Sequence, residues 1–486
     1  PYIKQFQAIL GLRDEGRMAE AVAMSRKFVE RAPLIKEGWH LVASAALQMG
    51  DLTTAIKAAR LYVLDDEEDG SRKMFLAGIL ADSPEGNEAP DLANKNVGAY
   101  SDVADLNFLA GLLNANAGRF DEAAGHLRKA IACDPSHGRS WGYLTNLERI
   151  SGDSDEFAEL QKQAAIENTA SSEDNVALKY ALGKACHDNG LFEEAWRQFS
   201  DGAAELERLT PIDLGPMEDY VERLKSAFSK NFVASFERPG SPSERPIFII
   251  GVPRSGAGLV ERLLSSHADV RAGGEMSLVR LATLPLKNMD SAGIQGFMDG
   301  VHKASGGLMD PWKNLGDNYL ALLDEFFGGA GRITDMQLGN HLFLGAIKMM
   351  LPEARVVHVS RNPLATAMSC FRVNFSQANL WSCNFDNIAR FFRLHEGLMA
   401  HWKQVFPGGI YEIAYEDLVN QPEAEVAALM KYCGLTGAVD LETFYKAEGR
   451  VANASLAELR KPIHRSSLEA WKNYEKWLEP YLGLFE

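Results

Sequence analysis

Apolar positions at helical spacing dominate the first two hundred residues, and the pattern repeats with a period of 34 residues. The glycines that mark this period are Gly16, Gly50, Gly118 and Gly152, with a further candidate at Gly190. An alanine lies five places after most of them, for example Ala55 after Gly50. Because glycine permits a tight turn and alanine permits close helix packing, the pattern predicts five to six pairs of antiparallel helices up to about residue 210.

The spacing of the apolar residues changes after the segment 237–246. This segment is rich in proline, glycine and serine and breaks the helical pattern. Short apolar runs follow, and each predicts a strand buried on both faces of a parallel sheet. These runs are 247–252, 354–359 and 409–414, with Ile333-Thr334 as a fourth. Helical stretches lie between them, at 259–266, 342–350, 365–371 and 388–405. Strands that alternate with helices predict a doubly wound α/β domain.

The net charge narrows the set of partners. Lys and Arg together number 50 and Asp and Glu number 66, so the formal net charge is −16. A general nucleic-acid binder needs a cationic surface, and this charge therefore argues against one. One basic pocket for a small anion stays compatible with it, because a local site can oppose the global sign.

The composition, 46% hydrophobic and 24% charged, is typical of a soluble globular protein. We expect no membrane span, because no run of 18 apolar residues occurs, and no secretory signal, because the first residues lack its charged and apolar segments. The five cysteines are odd in number and include no Cys-x-x-Cys pair. They predict neither a disulfide framework nor a zinc site, which favours a reducing cytoplasm.

A glycine-rich loop follows the first predicted strand, and its sequence from Gly251 to Gly258 is Gly-Val-Pro-Arg-Ser-Gly-Ala-Gly. A strand, such a loop and a helix N-terminus together can cradle an anion with backbone N–H groups and the helix dipole. The loop is not a Walker A motif, because Ala257-Gly258-Leu259 stand where Gly-Lys-Ser/Thr is needed. A magnesium-dependent NTPase is therefore disfavoured. Taken alone, the loop fits an ordinary tight turn equally well.

The N-terminal pattern resembles the tetratricopeptide repeat, most clearly in the unit that runs from Ala110 through Gly118 and Ala123 to Pro135. The resemblance implies stacked helix pairs with a concave groove, and such grooves suit extended peptides. An array that serves only as a scaffold or as a dimerisation element is an equally good interpretation. Peptide capture and a homodimer therefore both stay open.

Four collinear motifs of the second half resemble the sulfotransferases, in particular the tyrosylprotein sulfotransferase branch and its tetratricopeptide-fused bacterial relatives. The motifs are the stretch 248–275, the block 355–371, the run Tyr415-Glu416-Asp417-Leu418 and the segment 454–471. The resemblance implies an all-α tetratricopeptide solenoid followed by an α/β P-loop-like parallel-sheet sulfotransferase domain. The predicted organisation is a repeat array over 1–215, a helix and linker over 216–245, and the sulfotransferase-like domain over 246–486.

This family transfers a sulfuryl group from 3′-phosphoadenosine 5′-phosphosulfate (PAPS) to a hydroxyl or amine, and no metal is implied. The resemblance implies that Glu275 is the general base and that Arg254 and Ser455 lie near the transferring group. Arg361 and Ser369 are implied to hold the 3′-phosphate. The full set implied to bind PAPS is Arg254, Ser255, Gly256, Ala257, Gly258, Leu259, Arg361, Ser369 and Tyr415. Without the resemblance, Glu275 would be interpreted as a solvated loop carboxylate.

The chain departs from the family where the sulfuryl group is expected. Ala257-Gly258 replace two threonines, and Met336 stands where the family has a lysine. Each lost donor to a charged oxygen costs about 1.5–3 kcal/mol if nothing replaces it. One hypothesis is an active enzyme in which another cation takes over, the candidates being Arg262, Lys303, Lys313 and Lys348. The other is a degenerate, non-catalytic relative that binds a nucleotide or a partner and acts through its repeats.

The resemblance to the tyrosylprotein branch, together with a peptide-sized groove in the repeats, favours a protein or peptide tyrosine as the acceptor. A saccharide or a small phenol stays open, because no residue specifies the acceptor. The segment 276–332 lies between the implied base and the next strand, where the family covers its acceptor. Of the two hypotheses we favour the PAPS-dependent enzyme.

Overall fold

The fold is that of a computed structural model, which describes residues 2–15, 17–81, 83, 86–166, 171–237, 239–375, 377–437, 439–446 and 460–485. Its first half is helical, and its second half alternates helices with a parallel sheet. The helices of the first half are α1 (Tyr2–Asp14), α2 (Met18–Glu30), α3 (Gly38–Gln48), α4 (Leu52–Asp65), α5 (Gly70–Leu80), α6 (Ala89–Val97), α7 (Ala104–Asn116), α8 (Phe120–Cys133), α9 (Gly138–Leu147), α10 (Asp155–Ala165), α11 (Ser172–Asp188), α12 (Phe192–Leu209), α13 (Gly215–Ala227) and α14 (Lys230–Ala234).

Consecutive helices of the first half pack in pairs, as α3 does with α4, α7 with α8 and α11 with α12. The turn glycines Gly50, Gly118 and Gly190 have φ values of +80°, +80° and +74°, which residues with a Cβ rarely adopt. Gly152 does not share this conformation, and Gly16 lies outside the described residues. The helical array is thus confirmed, while its assignment to the tetratricopeptide repeat stays a prediction.

The strands of the second half are β1 (Pro246–Gly251), β2 (Val270–Arg271), β3 (Arg332–Asp335), β4 (Arg355–Ser360) and β5 (Tyr411–Ala414). They form a parallel sheet in the order β2-β3-β1-β4-β5. Every residue of β1 is buried, as expected for an apolar strand covered on both faces. Because β3 and β4 flank β1, the strand order reverses there, and this reversal opens a crevice at the carboxyl ends of the strands.

Helices cover both faces of the sheet and connect its strands, which confirms the predicted α/β domain. The predicted helix 259–266 corresponds to a helix that begins at Ala257, and the predicted helix 388–405 to one that begins at Phe385. The helices of the second half are α15 (Ala257–Ser265), α16 (Leu278–Ala282), α17 (Ser291–Ser305), α18 (Pro311–Phe327), α19 (Leu344–Met350), α20 (Pro363–Phe371), α21 (Phe385–Val405), α22 (Tyr415–Asn420), α23 (Pro422–Tyr432), α24 (Ser466–Glu469) and α25 (Glu475–Leu478).

The two halves share their apolar cores. One core joins Trp39 of α3 to Phe248 of β1 and Trp402 of α21. A second core joins Phe199 of α12 to Phe371 of α20. Burial of apolar side chains is the main force that holds such elements together, so the helical half is a structural support of the sheet domain rather than a separate body.

The segment rich in proline, glycine and serine is docked onto the second half. Ser241 is buried, and its N–H donates to the Met350 carbonyl over 2.9 Å. The Gly240 N–H donates to the Asp310 carboxylate over 2.8 Å. A Cβ at Gly240 would collide with the backbone of Met349, which explains why glycine stands there.

None of the helices in the described part of the chain combines the length and the apolar content that a membrane crossing requires.

Candidate active site

A cavity of about 1510 Å³ opens at the carboxyl ends of the strands. Its walls come from the loop after β1, from Glu275 after β2, from Met336 after β3, from Arg361 after β4 and from Tyr415 after β5. The C-terminal segment and His187 of the helical half complete the lining. The cavity therefore lies where the reversal of strand order predicts a ligand site.

The loop after β1 has the backbone of an anion cradle. Arg254 and Gly256 adopt φ values of +68° and +104°, and a Cβ at Gly256 would collide with the Tyr415 ring. The described residues provide no side-chain cap for α15, and Ala257, Gly258 and Leu259 of its first turn line the cavity, next to the positive end of the helix dipole. The Ser255 hydroxyl is buried and has no hydrogen-bond partner among the described residues.

Three implied donor-binding residues meet at one end of the cavity. The Arg254 Nε donates to the Ser369 hydroxyl over 2.9 Å. The Arg361 Nη1 donates to the Arg254 carbonyl over 3.1 Å. These contacts place the Arg254 guanidinium beside the Ser369 hydroxyl and the Arg361 guanidinium against the Arg254 backbone, a set of donors that suits a phosphate.

The C-terminal segment closes over this cluster. The Arg361 Nη2 donates to the Ser467 carbonyl over 2.6 Å, and the Ser467 hydroxyl lies 2.7 Å from the Tyr415 hydroxyl. The Arg361 guanidinium also stacks over the Tyr415 ring, 4.7 Å from its centroid. Arg361 is therefore held in place by a carbonyl and a ring before any ligand binds.

Glu275, the implied base, lines the same cavity and is exposed to it. The backbone before it is fixed from below by Glu261 of α15, whose Oε1 accepts from the Gly274 N–H over 3.0 Å and from the Thr334 hydroxyl over 2.7 Å. Burial raises the pKa of the Glu261 carboxyl. Glu261 is thus a buried support for the loop that carries Glu275.

Met336 also lines the cavity, and only 4% of its surface is exposed. Its N–H donates to the Gly274 carbonyl over 2.9 Å, so it lies alongside the loop of Glu275. Ala257 and Gly258 line the cavity as well. The positions at which the chain departs from the family therefore all face the site, and a thioether in place of an ammonium leaves a transferring group without that cation.

The four basic residues expected to compensate do not line the cavity formed by the described residues. Arg262 is buried on the other face of α15, where its Nη2 donates to the Tyr445 carbonyl over 3.1 Å. Lys348 donates to the Pro352 carbonyl over 2.7 Å, and Lys313 pairs with Asp317 over the same distance. Lys303 is exposed on α17. The expectation that one of them supplies the cation is wrong for the cavity that the described residues form, because none of the four lines it.

Other cations also line the cavity; two of them, Lys461 and Arg465, belong to the segment 454–471 that resembles the family, whereas Arg372 and Lys472 were not predicted. Arg372 follows α20 and lies three residues after Ser369, a spacing that puts both on one helix face. The three-residue spacing from Ser369 is therefore the sequence feature that could have predicted Arg372 as a site residue.

Part of the cavity lining is apolar and aromatic. It includes Leu338, His341, Phe375 and Phe391. The His341 Nδ1 lies 2.9 Å from the Leu338 carbonyl, and burial lowers the pKa of this imidazole to about 4. His341 is therefore neutral at pH 7. It donates from Nδ1, which leaves the lone pair on Nε2.

A buried carboxyl stands behind Met336. Asp335 accepts hydrogen bonds from the Tyr319 hydroxyl over 3.0 Å and from the Asn340 amide over 2.9 Å. Burial raises its pKa to about 7. Ser455, the last implied site residue, lies outside the described residues, so its role stays a prediction.

Comparison with known proteins finds similarity to sulfotransferases in the second half. Residues 246–439 match the model of the sulfotransferase family. Over 272 residues the chain is 32% identical to an uncharacterized protein of Aquifex aeolicus, a match that covers 55% of this chain and 35% of that protein. Over 245 residues it is 22% identical to protein-tyrosine sulfotransferase 2 of Gallus gallus, with 46% of this chain and 62% of that protein covered. The predicted resemblance to sulfotransferases is confirmed.

The chain spans 35% of the Aquifex protein and 62% of the Gallus protein, less than two thirds of each. Among solved structures, the chain is similar to the sulfotransferase domain of the Synechococcus olefin synthase, at 17% identity and a TM-score of 0.29. The match covers 49% of this chain and 98% of that domain.

Proposed function

We propose that this chain, whose residues 246–439 match the sulfotransferase family, transfers a sulfuryl group from PAPS to a hydroxyl acceptor. The observation that carries the proposal is the meeting of Arg254, Arg361 and Ser369 at one end of the cavity. These residues come from two different loops and a helix, and their two guanidinium groups and one hydroxyl fit a doubly charged phosphate.

The residues of the loop fit the other end of the donor. The buried Ser255 hydroxyl has no partner among the described residues, and the first turn of the uncapped α15 lines the cavity. Gly256 allows the backbone to pass close to Tyr415. These features support a negatively charged ligand that extends from the arginine cluster along the loop.

When PAPS is bound, it supplies a sulfuryl group whose sulfur–oxygen bond to the 5′-phosphate breaks as a new bond forms to the acceptor oxygen. In this proposal Glu275 accepts the proton of the acceptor hydroxyl. Arg254 and the N–H groups of α15 stabilise the charge that develops on the leaving phosphate. As in phosphoryl transfer, the protein contributes position and electrostatics rather than a covalent intermediate.

The proposed acceptor is a protein or peptide tyrosine. The aromatic part of the lining, with Phe375 and Phe391, supports a ring-bearing acceptor, and the matched Gallus protein is named as a protein-tyrosine sulfotransferase. The helical half would present the partner through its groove. A cytoplasmic place of action, favoured by the cysteine content, is part of the same proposal.

A sulfate-transfer assay with labelled PAPS and a panel of tyrosine peptides tests the proposal. We expect label on peptide tyrosine, and loss of that label in Glu275→Gln. The matched control is Glu469→Gln, which removes the charge of another carboxylate that lines the cavity. Tight binding of the donor without transfer to any acceptor would instead support the degenerate relative that acts through protein interaction.

A further inference from the structure

Arg372 brings a third guanidinium to the phosphate end of the cavity. It follows the last residue of α20, one turn beyond Ser369, and both residues line the cavity. A position three residues further along a helix lies on the same face. Arg372 therefore shares the side of the cavity on which Arg254 and Ser369 are joined.

The helical half holds this arginine. His187 lies at the end of α11 and lines the same cavity. The Arg372 Nη1 lies 3.0 Å from the His187 Nε2, and the Tyr474 hydroxyl lies 2.7 Å from the His187 Nδ1. The same Nη1 also lies 3.3 Å from the His187 Nδ1, so the guanidinium contacts both nitrogens of a ring that can accept from it only while it is neutral.

The electrostatics keep this arrangement fixed at neutral pH. Burial, and then the positive charge of Arg372, lower the pKa of the His187 imidazole to about 3. A neutral imidazole accepts from the guanidinium, whereas a protonated one would repel it. The ring of Tyr474 stacks on His187 with centroids 5.8 Å apart and an interplanar angle of 15°.

Aromatic side chains pack around the contact between His187 and Arg372. Trp196 of α12 stacks on Trp477 with centroids 5.8 Å apart and an interplanar angle of 11°. Trp196 also contacts the rings of Phe371 and Tyr474. The end of α20, the C-terminal segment and two helices of the first half thus meet around His187 and Arg372.

We propose that Arg372 is an additional residue that binds the 3′-phosphate of the nucleotide, and that His187 of the helical half positions the Arg372 side chain. This inference rests on the proposed donor site. The ligand chemistry is a phosphate monoester, which matches the planar fork of a guanidinium. The donor site is then incomplete without the helical half.

Calorimetric titration of the full chain tests this with two nucleotides that differ in one group, 3′,5′-adenosine bisphosphate and 5′-AMP. For Arg372→Gln we expect the affinity for the bisphosphate to fall about 10- to 100-fold, the loss expected of one charge-assisted contact. The affinity for 5′-AMP should change less than about threefold, since it lacks the phosphate.

His187 is tested as a positioning residue. His187→Phe should lower the affinity for the bisphosphate about 5- to 20-fold and spare 5′-AMP, while His187→Gln, which keeps an acceptor, should restore most of it. In a chain that already carries Arg372→Gln, the change His187→Phe should add less than about twofold, because the two residues act as a unit. Arg390→Gln is the matched control, since Arg390 also links the halves through Glu218 but does not line the cavity of the described residues.

Equal loss of both nucleotides, or no loss, would overturn the proposal. So would a His187→Phe effect that persists in full without Arg372, because the role would then be structural only. If Arg372→Gln does not fold, Arg372→Lys retains the charge without the fork and should show a smaller loss of the same selectivity. A wild-type chain that binds neither nucleotide overturns the proposed donor as well, whereas bisphosphate binding that is insensitive to Arg372 overturns this inference alone.

Discussion

The two ends of the cavity differ in how completely they are built. At the phosphate end, Arg254, Arg361 and Ser369 are already joined by hydrogen bonds, and Ser467 closes over them. At the other end, where Glu275 lies, the family lysine is replaced by Met336 and two threonines by Ala257 and Gly258, and all of these positions line the cavity. In this proposal Arg254 serves both donor binding and transfer, whereas Glu275 serves transfer alone, so a change at Glu275 should affect turnover without affecting donor binding.

The largest expected effect is on turnover. Glu275→Gln keeps the shape of the side chain but removes the base, and the loss of a general base costs about 10²- to 10⁴-fold in kcat. Rates of sulfate transfer, with bisphosphate affinity measured beside them, check this. Affinity within threefold of wild type is expected, and a strong loss of affinity would show that Glu275 belongs to the donor end instead.

The next effect is on donor affinity. Arg361→Gln removes a charged group from the phosphate end, and we expect the bisphosphate to bind about 10- to 100-fold more weakly, or about 1.5–3 kcal/mol. Calorimetry measures it. The control is Arg355→Gln at the opposite end of β4, where Arg355 pairs with Glu244 over 3.0 Å. Equal effects of the two substitutions would mean that only overall charge matters.

A smaller effect is a gain in turnover from a substitution at the Glu275 end of the cavity. Met336→Lys puts a cation beside the loop of Glu275, and one added charge-assisted contact to the transferring group should raise kcat about tenfold. Met336→Leu is the control, and the bisphosphate affinity should stay within threefold in both. A kcat that does not rise would show that the missing lysine is not what limits transfer.

The smallest effect concerns the buried support behind Met336. The pKa of Asp335 is about 7 in the folded chain against an ordinary value of 3.8, so between these values the folded state holds a proton that the unfolded state has released. The free energy of unfolding must therefore fall as pH rises through that window. Asp335→Asn should flatten this part of the profile in denaturant titrations from pH 4 to 7. An unchanged slope would show that Asp335 is ionised throughout.

Much of the fold was predictable from local patterns. The apolar runs gave three long strands to within about two residues, and the 34-residue period located helix pairs. The strand β2 was missed, since its two residues, Val270 and Arg271, carry no period. Gly152 shares the period of the other glycines but not their φ, which shows that spacing alone does not fix the conformation of a turn.

Each motif predicted site residues that line the cavity, namely Arg254, Glu275, Arg361, Ser369 and Tyr415, but the contacts between motifs were not predictable. Arg361 and Ser369 lie within one block, and both line the cavity. The hydrogen bond from Arg254 to Ser369 joins residues 115 positions apart, and the one between His187 and Arg372 spans 185 positions. The first pair depends on how the strands of the sheet are ordered, and the second on how the two halves pack. The prediction that Arg262 could supply the missing cation was wrong because closeness in sequence does not fix the helix face. Arg262 follows the loop within one or two turns of α15, but its side chain contacts Tyr445 instead of the cavity.

The most direct test of the proposed function is a calorimetric titration of the wild-type chain with PAPS, run beside 3′,5′-adenosine bisphosphate. We expect both to bind at one site, with affinities within about tenfold of each other, because most of the contacts lie at the phosphate end. Binding of the bisphosphate alone, or of neither, would contradict the proposal: the changes at Ala257, Gly258 and Met336 would then have removed the donor site for the sulfuryl group.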